Sequence, residues 1–256
     1  MSDLEFHKID QSDGVARITL NRPKHNVLNL AMMQELNRLL QACEADADLK
    51  CLVIEGEGPS FCAGVEVADH KPDMAPDMIA VFNRMLALVQ HMPVPVIAGV
   101  KGACLGGGME LAIACDIIVA SEKALFGQPE IKLGFVPPYA AIRLPRLIGP
   151  AKAIEVCTTG RRYTAAEAMQ MGFVSHVVAA DALPEKVAEL TAEIQACSPL
   201  IIRLNKKAVQ QHLELDFQNA VSSVSDLFLN EMMQTEDTLE GIASFEEKRR
   251  PVWKNK

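Results

Sequence analysis

The sequence predicts an α/β fold followed by a helical C-terminal region, on three observations. Short apolar or alternating runs recur between Gly, Pro and Asn breaks as far as Val178. Amphipathic stretches with helical spacing separate them, and beyond Val178 only helical patterning continues. Sheet strands covered by helices are the architecture such alternation implies.

The elements follow in order. Gly14-Val15-Ala16-Arg17-Ile18-Thr19-Leu20 alternates with the period of a strand until Asn21-Arg22-Pro23 breaks it, and a short strand near Phe6 to Ile9 would complete a hairpin. From Leu30 to about Ala45, Leu30, Met33, Leu36, Leu40 and Cys43 recur three or four apart, which predicts an amphipathic helix. Cys51-Leu52-Val53-Ile54 reads as a short buried strand ended by Gly56-Glu57-Gly58-Pro59. Met78, Phe82, Met85 and Val89 mark a second helix, and Pro93 to Ala98 another strand. Glu185 to Ala196 and Pro199 to the end are helix-patterned, with Ser198-Pro199 as the joint. The boundaries expected are therefore a core over 1–195 and a helical region over 196–256.

Composition narrows the function. With 49% hydrophobic and 23% charged residues, the 256-residue chain has the balance of a globular protein able to bury a large core. Its formal charge of -8 disfavours nucleic acid and anionic membrane as partners. Seven scattered cysteines without a Cys-x-x-Cys pair fit buried reduced thiols. Met1-Ser2-Asp3-Leu4-Glu5 has no signal-peptide character, and the Cys104–Ala120 stretch, interrupted by Glu110 and Asp116, is too short to span a membrane. A cytoplasmic protein is expected. Phosphate-loop, serine-hydrolase, zinc-protease and dinucleotide fingerprints are absent, and the six histidines lack ligand spacing, so neither a metal nor a separate cofactor is expected.

The most informative segment runs Pro95-Val96-Ile97-Ala98-Gly99-Val100-Lys101-Gly102-Ala103-Cys104-Leu105-Gly106-Gly107-Gly108-Met109-Glu110. A buried strand leads through a glycine loop into a helix, so unpaired N–H groups gather where glycine permits close approach and would welcome an anion or developing oxyanion. The alternative is a tight turn in which Glu110 caps the helix at its third position. Ser60-Phe61-Cys62-Ala63-Gly64-Val65-Glu66 places a second glycine after a strand and turn, and Gln128-Pro129-Glu130 supplies a loop carboxylate.

Four pieces of the chain resemble the signatures of the crotonase (enoyl-CoA hydratase/isomerase) superfamily in order and spacing: Phe61-Cys62-Ala63-Gly64, Gly106-Gly107-Gly108-Met109-Glu110, Phe126-Gly127-Gln128-Pro129-Glu130 and Thr159-Gly160-Arg161-Arg162. The resemblance covers nearly the whole chain. It implies a ClpP/crotonase-like ββα spiral core, a C-terminal helical oligomerisation region and a homotrimer or dimer of trimers. It also implies an acyl-CoA thioester as substrate, with coenzyme A entering as part of it. The backbone N–H groups of Val65 and Gly107 would form an oxyanion hole, Glu110 and Glu130 would act across one water, and Ala63, Gly64, Gly106, Gly108, Pro138 and Tyr139 would contact substrate. Two close carboxylates cannot easily both ionise, so such a pair suits hydration.

One stretch departs from the family pattern. Gly134-Phe135-Val136-Pro137-Pro138-Tyr139-Ala140-Ala141-Ile142 stands where typical enoyl-CoA hydratases have a glycine-rich loop. Together with His70-Lys71-Pro72-Asp73 and Glu240 to Arg249, it looks most like the cyclohexa-1,5-diene-1-carbonyl-CoA hydratases of anaerobic aromatic degradation. The alternatives are another crotonase reaction, namely straight-chain hydration, isomerisation or ring-opening hydrolysis, or a non-catalytic scaffold that binds coenzyme A. His70 is expected at the surface, Tyr139 in packing, and Asp116 as a structural turn or helix-end partner.

Overall fold

Two sheets organise the chain in a computed structural model, which describes residues 4–256. Met1 to Asp3, on which part of the leader reading rests, lie outside the described residues. Strands β1 (His7–Ser12) and β2 (Val15–Leu20) pair as an antiparallel hairpin. Its two-residue turn is Asp13-Gly14, both at positive φ, the geometry that matches the twist of the flanking strands. The first strand is longer than its apolar pattern predicts because its outer end is solvent-exposed and carries no periodic signal.

Helix α1 (Leu30–Ala45) matches the predicted boundaries, and the Asn29 side chain caps it by accepting from the Met32 N–H at 2.9 Å. After β3 (Cys51–Gly56) come α2 (Ala75–Gln90), β4 (Val96–Val100), β5 (Ala103–Leu105), α3 (Gly107–Ala114), β6 (Ile117–Ser121) and β7 (Leu125–Gly127). Then follow α4 (Ala140–Ile148), α5 (Pro150–Thr159), β8 (Tyr163–Thr164), α6 (Ala165–Met171), β9 (His176–Val178) and α7 (Leu183–Gln195). The larger sheet has the order β1-β2-β3-β4-β6-β9 and is parallel from β2 onward. One face, with Leu52, Ile54, Val96 and Ala98, joins the main core, while Cys51, Val53, Ile97 and Val119 pack against Leu183 and Val187 of α7. Burial on both faces explains why Cys51 to Ile54 reads as a continuous apolar run. The smaller sheet, β5-β7-β8, has strands of two or three residues and lies beside the start of α3.

Beyond α7, Ser198 caps α8 (Pro199–Gln210), its hydroxyl accepting from the Ile201 N–H with Pro199 at the first helical position. α9 (Phe217–Asp226) and α10 (Glu236–Glu246) follow, joined by a π-turn over Leu227–Glu231 and a 3-10 turn over Met232–Gln234. The helical reading to the chain end is corrected. Residues 248–256 lack regular structure, because their polar groups fold back onto the buried Asp237. Its carboxylate accepts from the Lys254 and Asn255 N–H groups and from the Ser198 hydroxyl. The buried-thiol reading is corrected in part: Cys157, on α5, is half-buried, and Cys197, in the bend between α7 and α8, is exposed.

Asp116 takes the structural role expected of it. Its carboxylate accepts from the Val96 N–H at 2.8 Å and from the Lys206 ammonium at 2.5 Å, and Lys206 also donates to the Val94 carbonyl at 2.9 Å. This pair fastens α8 to the start of β4. Among the apolar residues of the C-terminal region, Leu227 is buried, whereas Val209, Leu213, Phe217, Val221 and Phe228 are exposed. No helix among the described residues is long and apolar enough to cross a membrane.

Candidate active site

Two loops meet beside the glycine run. The Cys62 N–H donates to the Ala103 carbonyl at 3.1 Å and the Leu105 N–H to the Cys62 carbonyl at 3.0 Å, lacing residues 61–65 to β5. On the other side, the Leu28 N–H reaches the Gly64 carbonyl and the Glu66 N–H reaches the Leu28 carbonyl. This arrangement leaves the Val65 N–H between them, and among the described residues no backbone carbonyl takes either that group or the Gly107 N–H at the start of α3. The two residues are neighbours, since a Cβ on Gly107 would lie 2.5 Å from Val65 Cγ2. Two free N–H groups, one of them at a helix N-terminus, can stabilise an oxyanion.

Each glycine of the run answers to a different neighbour. Gly106 has φ of 54°, and a Cβ there would sit 2.4 Å from Glu130 Oε1. A Cβ on Gly108 would lie 2.2 Å from the Cys62 carbonyl oxygen, so the laced loop requires glycine at this position too. Gly64, at φ of 124°, and the half-buried Ala63, whose N–H donates to the His25 carbonyl, complete the wall. Gly106→Ala is expected to displace the Glu130 carboxylate and strain the turn, lowering turnover at least ~10-fold with a smaller change in KM. Steady-state kinetics and a crystal structure of the variant check this, and an unmoved Glu130 would contradict it.

Glu110 does not cap its own helix. The turn reading of that residue fails because its carboxylate points across the site, where Oε1 accepts from the N–H groups of Tyr139 and Ala140, both at 2.8 Å. These are orphan donors at the start of α4, immediately after Pro137-Pro138. The sequence reading missed them, although a double proline before a helix was the available signal. Burial pushes the Glu110 carboxyl up to about 7; the Ala140 and Tyr139 N–H groups oppose the rise, and the Glu130 charge adds to it. Glu130, in the 3-10 turn Pro129–Leu133, is likewise pushed up to about 7 by burial, against its own backbone N–H. Two acids from distant segments thus share one partly buried site with a pair of free N–H groups.

The remaining predicted residues flank this centre. Pro138 is exposed, whereas the Tyr139 ring is buried with its hydroxyl 2.5 Å from Gln90 Oε1 on α2. His70 is half-buried, stacked on Phe135 with ring centroids 4.9 Å apart, and its Nδ1 lies 3.0 Å from the Glu66 carbonyl.

Residues 10–256 match the family model described as enoyl-CoA hydratase/isomerase. The chain belongs to the enoyl-CoA hydratase/isomerase family. YngF of Bacillus subtilis, which carries the name enoyl-CoA hydratase/isomerase, is 39% identical over 95% of this chain and 96% of its own length. An enoyl-CoA hydratase from Bacillus anthracis superposes with a TM-score of 0.93 at 33% identity, covering 98% of this chain and all (100%) of that one. Human enoyl Coenzyme A hydratase domain-containing protein 3 superposes at 0.92 with 30% identity over 97% of this chain and 100% of its own. The crotonase fold expected from the four motifs is therefore the fold of this enzyme-family member.

Proposed function

We propose that this chain adds water to a conjugated enoyl-CoA thioester. The observation that carries the reading is the pair of carboxyls, the buried Glu110 and the half-buried Glu130, both raised to about 7 beside the free N–H groups of Val65 and Gly107. Those N–H groups hold the thioester oxygen as negative charge develops on it, while Ala63, Gly64, Gly106, Gly108, Pro138 and Tyr139 bound the acyl end. Glu110 is the base: two backbone donors favour its ionised form, so it takes a proton from water as the hydroxyl joins the β-carbon. Glu130 is the acid and delivers its proton to the α-carbon. A proton passed from Glu110 to Glu130 restores the starting state. Coenzyme A belongs to the substrate, and no further cofactor takes part.

The acyl group we assign is cyclic, as in cyclohexa-1,5-diene-1-carbonyl-CoA. Support comes from the stiff wall at Pro137-Pro138-Tyr139, where both proline φ angles are fixed and the Tyr139 ring is pinned to α2. A rigid wall suits a compact ring better than a flexible chain, although pocket shape alone discriminates only ~1 to 3 kcal/mol per methylene. The dienoyl-CoA is expected to exceed crotonyl-CoA in kcat/KM by ~10-fold or more. Pro138→Gly with Tyr139→Ala should erase the preference. A wild type that favours crotonyl-CoA rejects the cyclic substrate while leaving hydration intact, and double-bond migration without water uptake rejects hydration itself.

The assembly we assign is a homotrimer or a pair of trimers built through the C-terminal helices. Phe217, Val221 and Phe228 line an apolar groove together with Ala220, Val224 and Leu229, and single-chain folding leaves it open. Sedimentation equilibrium at micromolar concentration should give a trimer or hexamer mass; a stable monomer contradicts the assembly.

A further inference from the structure

Tyr139 is engaged at both of its ends. Its backbone N–H donates to Glu110 Oε1 at 2.8 Å, and the hydroxyl of its buried side chain donates to Gln90 Oε1 at 2.5 Å. Gln90 is half-buried and is the last residue of α2, so it belongs to neither segment that carries a glutamate of the site. Its own backbone carbonyl lies 3.5 Å from the Gln210 amide nitrogen on α8, which in turn lies 3.4 Å from Asp116 Oδ1. We propose that Gln90 is a positioning residue of Glu110: by holding the Tyr139 hydroxyl, it sets where the first two N–H groups of α4 stand and so fixes the carboxylate that takes the proton from water. The inference rests on the hydration reading above, in which Glu110 is the base.

The start of α4 has few other anchors. No side chain caps it, and Leu133, Gly134 and Val136 in the segment before it are exposed. Pro137 and Pro138 carry no N–H with which to tie that segment down. Arg143 Nε donates to the Ile113 carbonyl at 3.2 Å, but this bond lies one turn further along the helix. The Tyr139 side chain therefore holds the first turn, and Gln90 holds the polar end of that side chain. A buried hydroxyl needs an acceptor in any case. Here the residue that owns the hydroxyl also donates its N–H to the base, so a shift at one end reaches the other through a single rigid side chain. N–H···O bonds weaken steeply as their angle opens, and the ionised carboxylate loses more from that than the neutral acid does. Facing Glu110 are Glu130 on its 3-10 turn and the Cys157 thiol of α5, pushed up to about 11 by burial and the two glutamates. Facing the Tyr139 hydroxyl are Arg143 on α4 and, just after α3, Cys115 and Asp116, the last paired with Lys206. Burial raises the phenol and both thiols away from neutrality, which leaves the two glutamates as the groups in the site that titrate near pH 7.

The test uses the full-length protein with Gln90→Met, which keeps the length of the side chain and removes the acceptor, and with Tyr139→Phe, which keeps the ring and removes the donor. The two backbone donors favour ionised Glu110, so loosening them raises its pKa, and the acid limb of kcat should move up by ~0.5 to 1 pH unit in either variant. kcat on that limb should fall ~3- to 10-fold, with KM changed less than ~2-fold. The double variant should lose no more than the worse single one, because both substitutions break the same hydrogen bond. A lower melting temperature with an unmoved acid limb would reduce the contact to packing and overturn the proposal, as would additive losses in the double variant. Infrared titration of the Glu110 carboxyl band, identified by its disappearance in Glu110→Gln, reads the same shift without turnover and separates failure here from failure of the hydration reading. Should neither variant fold, wild type labelled with 13C-tyrosine supplies the measurement, since the chain has only two tyrosines, Tyr139 and Tyr163. The hydroxyl-bearing carbon of Tyr139 should titrate with the Glu110 band, and a carbon insensitive to pH would overturn the assignment.

Discussion

Glu110→Gln and Glu130→Gln should each lower kcat for hydration by ~10²- to 10⁴-fold while leaving KM for the thioester nearly unchanged. Glutamine preserves the shape of each side chain, and at position 110 its carbonyl can still accept from the Tyr139 and Ala140 N–H groups. What disappears is the capacity to exchange a proton. The double variant should be little worse than the single ones, because the two acids serve one proton cycle. Near-wild-type turnover in either single variant ends the paired-acid mechanism.

The same substitutions should stabilise the fold at neutral and alkaline pH. Both carboxyls are raised from 4.5 to about 7, so between those values the folded chain holds protons that the unfolded chain has released. Stability contributed by this pair is therefore present at low pH, declines as pH rises from about 4.5 to about 7, and then levels off. Each glutamine removes part of that decline. Thermal melting from pH 5 to 8 should show the gap between variant and wild type widening upward, and a gap that narrows with pH would show that the carboxyls are not held protonated by the fold.

Asp116→Ala should destabilise the protein by ~3 to 5 kcal/mol, the largest stability effect expected of a single substitution outside the site. Removal leaves the Lys206 ammonium, 8% exposed at its side chain, with only the Val94 carbonyl, and it strips a partner from the Val96 N–H. Replacing both members, as Asp116→Ala with Lys206→Met, should recover much of the loss, since the burial of an unpaired charge is then avoided. Chemical denaturation of the three variants measures this; a double variant no better than Asp116→Ala would place the effect in the Val96 N–H instead.

Sequence alone determined much of the scaffold. The boundaries of α1 follow from three-and-four spacing and the Asn29 cap, and the parallel strand β3 from an unbroken apolar run, because hydrophobic periodicity records which faces are buried. The order and spacing of four motifs carried the family and nominated Val65, Gly107, Glu110 and Glu130. Strands β5, β7 and β8 escaped notice because two or three residues cannot display a period. The irregular end at 248–256 escaped too, since its conformation is set by long-range bonds to Asp237.

What tertiary structure decided was partnership. Glu110 finds its two backbone donors at Tyr139 and Ala140, and Glu130 finds its room over Gly106; both contacts span more than twenty residues of chain. A motif marks which residues are kept together as a pattern, but the side to which a carboxylate turns depends on which unpaired N–H groups and which missing Cβ atoms the packed helices bring to it. The proton affinity of the pair follows from that same burial, and it arises only once the chain has folded around both acids.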